Sequence, residues 1–123
     1  MASPRRVEQI SILIREVIAR ILVEDFVPPA GAMVTVTRVV PSEDLQYAGI
    51  YISVLGGGET VEGAALTTLK RETGAIQHRL NRALRMRPVP KIHFAIDETE
   101  KRRERVEQIL GKSDGKIDSA PIL

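Results

Sequence analysis

The chain has 123 residues, the usual length of one compact domain. Apolar residues make up 43% of it, which is enough for a hydrophobic core. No apolar run approaches the length of about 18 residues that spans a bilayer, and no apolar signal core follows the N-terminus. The absence of cysteine excludes disulfides, thiolate zinc sites and thiol catalysis, and it fits a cytoplasmic location.

Positive charge is concentrated between Lys70 and Lys91. This segment holds seven basic residues and one acidic residue, so it carries +6 while the whole chain carries only +2. Such a segment is typical of an anion-binding face, although a solvated helix face with incidental arginines is the alternative. Aromatic residues are scarce, with two Phe, two Tyr and no Trp. We therefore expect a binder that relies on phosphates, backbone and shape rather than on stacking platforms.

Residues 3–24 have the spacing of an amphipathic helix. Ser3 is suited to cap this helix and Pro4 to occupy its first position. Its apolar side chains recur at i, i+3/i+4 and i+7, at Val7, Ile10, Ile14, Val17, Ile18, Ile21 and Leu22. The prolines and glycine of the segment 25–31 end the helix.

Residues 32–55 predict an antiparallel hairpin. The first strand alternates with period two, which places Val36 and Arg38 on one face and Thr37 and Val39 on the other. Residues 41–44 have turn chemistry, and the second strand covers residues 45–55. We interpret the hydroxyl and carboxylate of this turn, at Ser42 and Asp44, as groups that bond local backbone N–H groups rather than as a catalytic pair.

The glycines of segment 56–60 predict a flexible link. A helix is expected over Thr60–Glu72, interrupted by Gly74 and followed by a second helical stretch to Met86. A third strand is expected over residues 91–96. A last helix follows over 97–111, with Asp97 and Glu100 in a capping box. The polar residues 112–123 are expected to form a flexible tail outside a single domain of residues 1–111.

The predicted order is therefore α-β-β-α-break-α-β-α. This order favours an α+β fold in which helices cover a three-stranded sheet. In the second helical stretch, a rotation of 100° per residue places His78, Arg82 and Arg85 opposite the apolar face. Arg79 and Arg87 could instead pair with carboxylates. Gly74 has two interpretations: a helix cap with positive φ, or a point where the backbone of a bound ligand approaches closely.

The helix pair broken at a small residue resembles the K-homology domains, which clamp nucleic-acid backbone with a Gly-X-X-Gly loop. That loop is absent, since residues 74–77 read GAIQ. A narrower resemblance is to the bacterial ribosome-binding factor A family, over about residues 3–110. One family-like string has Val39, Ser42, Asp44, Leu45 and Ala48. A later string has Gly74, Ile76, Leu84, Arg85, Arg87, Pro90, Phe94 and Asp97.

The resemblance implies a type II K-homology-like domain with an Ala-x-Gly kink in place of the usual loop; here Glu72 occupies the alanine position. It implies transient binding to the immature small (30S) ribosomal subunit and its 16S rRNA, late rRNA maturation that includes the 5′-terminal region, and growth in the cold. It also implies a monomer with no catalytic activity, no cofactor, and neither DNA nor membrane as partner. The candidate RNA-binding residues are Gly74, His78, Arg79, Arg82, Arg85, Arg87 and Lys91.

Two other binding functions stay open from the sequence. One is a general K-homology RNA-binding module that is not dedicated to ribosome assembly. The other is a ligand-sensing or dimerising regulatory domain, with a site at the triple glycine and the hairpin. An enzyme has the least support, because no constellation of paired carboxylates, metal ligands or nucleophile is visible.

Overall fold

The computed structural model describes residues 2–29, 31–99 and 102 of the chain. It contains helices and strands in the order α1 (Pro4–Asp25), β1 (Met33–Pro41), β2 (Tyr47–Leu55), α2 (Gly58–Arg71), α3 (Thr73–Ala83) and β3 (Lys91–Ile96). The α+β class and the expected order through the third strand are confirmed. The predicted last helix lies largely outside the described residues, and the predicted boundary at residue 111 and the tail lie wholly outside them.

The three strands form one sheet in the order β1-β2-β3. The hairpin of β1 and β2 is antiparallel, as predicted, whereas β2 and β3 are parallel. A parallel neighbour needs a long crossover, and α2 and α3 supply it. All three helices pack on one face of the sheet, so the domain has two layers.

The core lies between the helix layer and the sheet. Ile14 and Ile18 of α1, Ile50 and Ile52 of β2, and Leu80 of α3 are completely buried. Each such side chain stabilises the fold by roughly 1.5–3 kcal/mol relative to exposure. Because α1 is rich in β-branched residues, which form helices poorly on their own, this burial is what holds it.

A β-bulge overturns the predicted faces of β1. Val36 pairs with Ile52 and Arg38 pairs with Tyr51, so Thr37 is an extra residue without a partner position. The extra residue shifts the alternation by one position. Val36 and Val39 are consequently both buried on the helix side, and Arg38 lies exposed on the other side.

The break between the two central helices is at Glu72, and the prediction that Gly74 forms it is wrong. Glu72 has φ −92° and ψ 5° and is both the last cap of α2 and the first cap of α3. Its N–H donates to the carbonyl of Thr68, and its carbonyl accepts from Ile76, both at 3.0 Å. The Glu72 carboxylate lies at the positive end of the α3 dipole and also at the negative end of the α2 dipole, so the two helix dipoles together give no reason for glutamate at the kink.

Gly74 is the second residue of α3, and its φ is not positive. Helix α3 ends at Ala83 and not near Met86, so Arg85 lies beyond the helix. Helix α2 begins earlier than predicted, at Gly58.

The triple glycine is a turn of defined conformation rather than the expected flexible link. Gly56, Gly57 and Gly58 have φ of +90°, +84° and +72°, a region that other residues rarely enter. A Cβ atom on Gly56 would lie 2.3 Å from the carbonyl oxygen of Gly31. The backbones of the two loops therefore approach closely, and Gly57 caps the start of α2.

Candidate nucleic-acid interface

Three predicted site residues align on the exposed side of α3. Gly74, His78 and Arg82 are spaced four residues apart, so they follow one ridge of the helix, and all three are exposed. The opposite side of the helix carries Ile76 and Leu80, which are buried in the core. We call Gly74, His78 and Arg82 the α3 ridge.

Gly74 leaves the helix backbone uncovered on this ridge. A Cβ atom at this position would meet no atom within 4 Å. Neither φ nor packing therefore requires glycine here, although alanine would favour the helix by about 1 kcal/mol. The fold gives no reason for glycine in place of alanine at this position, whereas close approach of a ligand backbone would give one.

Arg79 turns away from the ridge toward the end of α1. Its Nη2 lies 3.0 Å from Oε1 of Glu24, and its Nη1 binds the carboxylate of Asp25. Hydrogen bonds to Glu24 and then to Asp25 raise the pKa of the Arg79 guanidinium. The interpretation that Arg79 pairs with carboxylates is confirmed, and much of its charge is compensated within the fold.

Gln77 fixes α3 against the sheet, a role that the sequence did not indicate. Its Nε2 donates to the carbonyl of Pro90 at 3.0 Å, and its Oε1 accepts from the N–H of Ile92 at 2.9 Å. Nε2 also lies 3.0 Å from Oδ1 of Asn81. A single glutamine carries no periodicity signal, so only its position opposite the strand reveals the contact.

The two arginines after α3 lie in an irregular segment that includes a cis bond between Arg87 and Pro88. Arg85 is exposed at a cleft of about 340 Å³ between α1 and the end of α3, which Leu13 and Met86 also line. Nη1 of Arg87 donates to the carbonyls of Leu84 and Met86 at 2.8 and 2.6 Å. Arg87 therefore braces its own loop through carbonyl oxygens, and it forms no ion pair with a carboxylate of the described residues.

Lys91 is separated from the α3 ridge by the sheet. It is the exposed first residue of β3, and its neighbour Ile92 is buried on the helix side. Alternation along a strand places Lys91 on the face opposite the helices, beside its pairing partner Tyr47. The seven candidates thus divide into the ridge, the paired Arg79, the loop arginines and a lysine on the far face.

The Ser42–Asp44 turn has the structural role that the sequence predicted. Ser42 Oγ lies 2.7 Å from Oδ1 of Asp44, and the N–H groups of Gln46 and Tyr47 donate to Asp44 and Ser42 at 3.1 and 3.0 Å. The hydrogen bond from Ser42 and then that from Gln46 lower the pKa of the Asp44 carboxyl below 3.8. These bonds close the hairpin, with Leu45 at φ 59°.

Within the described part of the chain, no group of three or more His, Asp or Glu residues is placed to hold a metal ion. No described helix is both long and apolar enough to cross a membrane.

A sequence model of the family described as ribosome-binding factor A matches residues 6–110. A ribosome-binding factor A from Chlamydia pneumoniae is 33% identical over 112 residues, which cover 89% of this chain and 92% of the relative. The chain belongs to the ribosome-binding factor A family.

Solved structures of the family show the same fold. The crystal structure of ribosome-binding factor A from Thermus thermophilus matches with a TM-score of 0.62 at 22% identity, covering 73% of this chain and 94% of that one. A homology model of the Thermus thermophilus factor, fitted into a cryo-EM map of a complex with 30S, matches with a TM-score of 0.60 at 21% identity. It covers 72% of this chain and 91% of that one.

Proposed function

We propose that this member of the ribosome-binding factor A family binds the immature small (30S) ribosomal subunit and assists late maturation of 16S rRNA, including its 5′-terminal region. It acts by transient binding in the cytoplasm, as a monomer without catalytic activity or cofactor, and supports growth in the cold. Two findings support the small subunit as the binding partner: membership of the family, and the complex of the Thermus thermophilus relative with 30S. The site is supported by the position of Gly74, whose backbone is uncovered, on one exposed ridge with His78 and Arg82.

On this proposal, the RNA backbone passes over Gly74, while Arg82 of the ridge and Arg85 beyond it contact phosphates. Both arginines are exposed, and neither forms an ion pair with another described residue. Each neutralised phosphate adds about −0.7 to the slope of log affinity against log salt on a single strand, and about −0.9 on a B-form duplex. We therefore expect affinity for small subunits to fall steeply with salt.

The sharpest test replaces Gly74 with alanine and compares it with Gly63→Ala. Gly63 is also an exposed helical glycine with no atom within 4 Å of a Cβ position. Both substitutions should raise the free energy of unfolding by about 1 kcal/mol, because alanine favours a helix. Only Gly74→Ala should weaken binding to immature small subunits purified from cells that lack the protein, measured by co-sedimentation.

A charge-reversal pair tests the phosphate contacts. Arg82→Glu with Arg85→Glu should abolish co-sedimentation and leave the melting temperature nearly unchanged. The matched control is Arg5→Glu with Arg20→Glu, which makes the same charge change at exposed positions of α1. Equal loss in both double variants would indicate an effect of net charge alone, and normal binding by the first would contradict the proposed face.

Unrelated structured RNAs separate dedicated ribosome binding from a general RNA-binding module. A dedicated factor should bind immature small subunits more tightly than these RNAs at the same salt concentration. Equal affinity for all of them would contradict the assembly function and favour the general module.

A further inference from the structure

The face of the sheet opposite the helices, which we call the open face, gathers the tyrosines of this chain. Tyr47 and Tyr51 of β2 are the only two tyrosines, and both point away from the buried residues that alternate with them. Arg38 from β1 and Lys91 and His93 from β3 lie on the same face. The three described helices all pack on the other face.

The aromatic rings on the open face are held in stacked pairs. The ring centroids of Tyr47 and His93 are 5.8 Å apart, with 29° between their planes. The guanidinium carbon of Arg38 lies 4.3 Å from the ring centroid of Tyr51. The residue surface of Tyr47 is 48% exposed and the side chain of Arg38 is 52% exposed, so both pairs are accessible to a ligand from solvent.

Gly49 allows the Tyr51 ring to lie along the sheet. A Cβ atom at Gly49 would be 3.2 Å from Cε2 of Tyr51, so the ring extends over this glycine in the direction of Tyr47. The two stacked pairs are therefore neighbours on one surface, with no side chain at position 49 between them. Because each tyrosine ring is held by a neighbouring side chain, little side-chain freedom is lost when a ligand binds.

Charge on the open face is positive. The strand residues that share this face include Arg38 and Lys91 and no aspartate or glutamate. The carboxylate of Asp97, whose side chain is 5% exposed, lies 3.5 Å from Nε of Arg38 at the end of the sheet. Cations interspersed with flat π surfaces match a chain that carries both phosphates and exposed bases. An acidic peptide would use the cations but not the stacked rings.

We propose that the open face binds unpaired nucleobases of single-stranded RNA. Bases stack on the Tyr47–His93 pair and on the guanidinium plane of Arg38, both of which are recognised modes of binding splayed bases. Lys91 contacts a phosphate of the same strand. The proposal deepens the proposed function and rests on it for the choice of RNA as ligand, but it assigns a surface separate from the α3 ridge.

The experiment is an NMR titration of the intact chain labelled with ¹³C in its tyrosine and phenylalanine rings. The two tyrosines report on the open face, and the buried rings of Phe26 and Phe94 are internal controls. A short oligouridylate should shift the tyrosine signals and leave the phenylalanine signals in place. A short RNA duplex should not shift the tyrosine signals, because its bases are stacked within the helix.

Unmoved tyrosine signals at saturating oligouridylate, with binding followed by fluorescence anisotropy of the labelled RNA, would overturn the proposal. The proposal would also be overturned if an acidic protein shifted the tyrosine signals and oligouridylate did not. In a second measurement, Tyr47→Leu should weaken oligouridylate binding about tenfold, whereas Tyr47→Phe keeps the ring and the affinity. Wild-type affinity in Tyr47→Leu would contradict the proposal, and the wild-type titration decides the question if that variant does not fold.

Failure here is distinguishable from failure of the ribosome-binding function. Arg82→Glu with Arg85→Glu should lose binding to small subunits and retain the tyrosine shifts with oligouridylate. If the wild-type protein binds small subunits normally but its tyrosine signals do not shift with oligouridylate, base binding by the open face is contradicted and the ribosome-binding function is not. If Arg82→Glu with Arg85→Glu binds small subunits normally and still shows clear tyrosine shifts with oligouridylate, base binding by the open face is supported. Phosphate contact by Arg82 and Arg85 is then contradicted.

Discussion

Arg79 and Glu24 join the middle of α3 to the end of α1, with Nη2 and Oε1 3.0 Å apart. Asp25 binds the other terminal nitrogen of the same guanidinium. The last turn of α1 carries these two acids and no basic residue, which is unfavourable at the negative end of a helix dipole. A cation from the neighbouring helix compensates this end of α1, so Arg79 links α1 and α3 within the helix layer.

Replacing Arg79 with glutamine should lower the melting temperature slightly at low ionic strength. The groups of this ion pair are at least one-third exposed, so the contribution is small and screened by salt. The difference from wild type should vanish near 1 M salt, where the Debye length is about 3 Å. Thermal melts at several salt concentrations check this. Arg82→Gln, an exposed arginine on the same helix without an ion pair to a described residue, should show no such dependence.

The elements of the fold could be predicted because their patterns come from burial. The spacing of Ile10, Ile14 and Ile18 defined α1 since one side of that helix faces the sheet, and alternation defined β2 for the same reason. The bulge at Thr37 could not be predicted, because its extra residue contacts a partner sixty residues away that local alternation does not reveal: Thr37 Oγ1 lies 2.5 Å from Oδ2 of Asp97.

The candidate site was predictable in composition but not in arrangement. Counting charge located the basic segment between Lys70 and Lys91, but the fold distributes its members over two faces of the domain. The position of the kink was predicted from the helix-breaking tendency of glycine. The chain instead changes direction at Glu72, two residues earlier, and Gly74 continues the helix. Scarcity of aromatic residues also gave no sign that both tyrosines share one face.

Gly56 and Gly58, at the turn into α2, should differ in their response to alanine. Positive φ alone costs an alanine about 1–2 kcal/mol, and this is the whole effect at Gly58, where a Cβ atom meets nothing within 4 Å. At Gly56 the Cβ atom would also lie 2.3 Å from a backbone oxygen of Gly31. Gly56→Ala should therefore lower the free energy of unfolding more than Gly58→Ala in urea denaturation. Equal losses would show that the two loops do not approach as closely as described.

Ser42→Ala should raise the pKa of the Asp44 carboxyl, since the Ser42 hydroxyl is the main cause of its depression below 3.8. Because the folded-state pKa is depressed, Asp44 stabilises the fold fully above the unfolded pKa, and this contribution is lost as pH falls through the folded pKa. An NMR titration of the Asp44 side-chain carbon measures the shift. Ser11→Ala removes a hydroxyl that bonds the Val39 carbonyl and should leave the Asp44 titration unchanged.

Asp97 connects the end of β3 to the bulge of β1. It is buried, and besides Thr37 its carboxylate accepts from the N–H of Thr99 at 3.0 Å, as the predicted cap requires. Asp97→Ala should cost about 1–3 kcal/mol, because it removes the cap and leaves the Thr37 hydroxyl without this partner. Thr37→Val should cost about 1 kcal/mol.

A double-mutant cycle between Thr37→Val and Asp97→Ala then measures their contact. The double variant should lose about 1 kcal/mol less than the sum of the single losses, because either change alone already breaks the hydrogen bond. The matched control pairs Asp97→Ala with Thr68→Val, which removes a hydroxyl bonded to the Ala64 carbonyl within α2. Those two effects should add, since the sites share no partner. Additive losses in the first cycle as well would show that Asp97 does not hold the bulge.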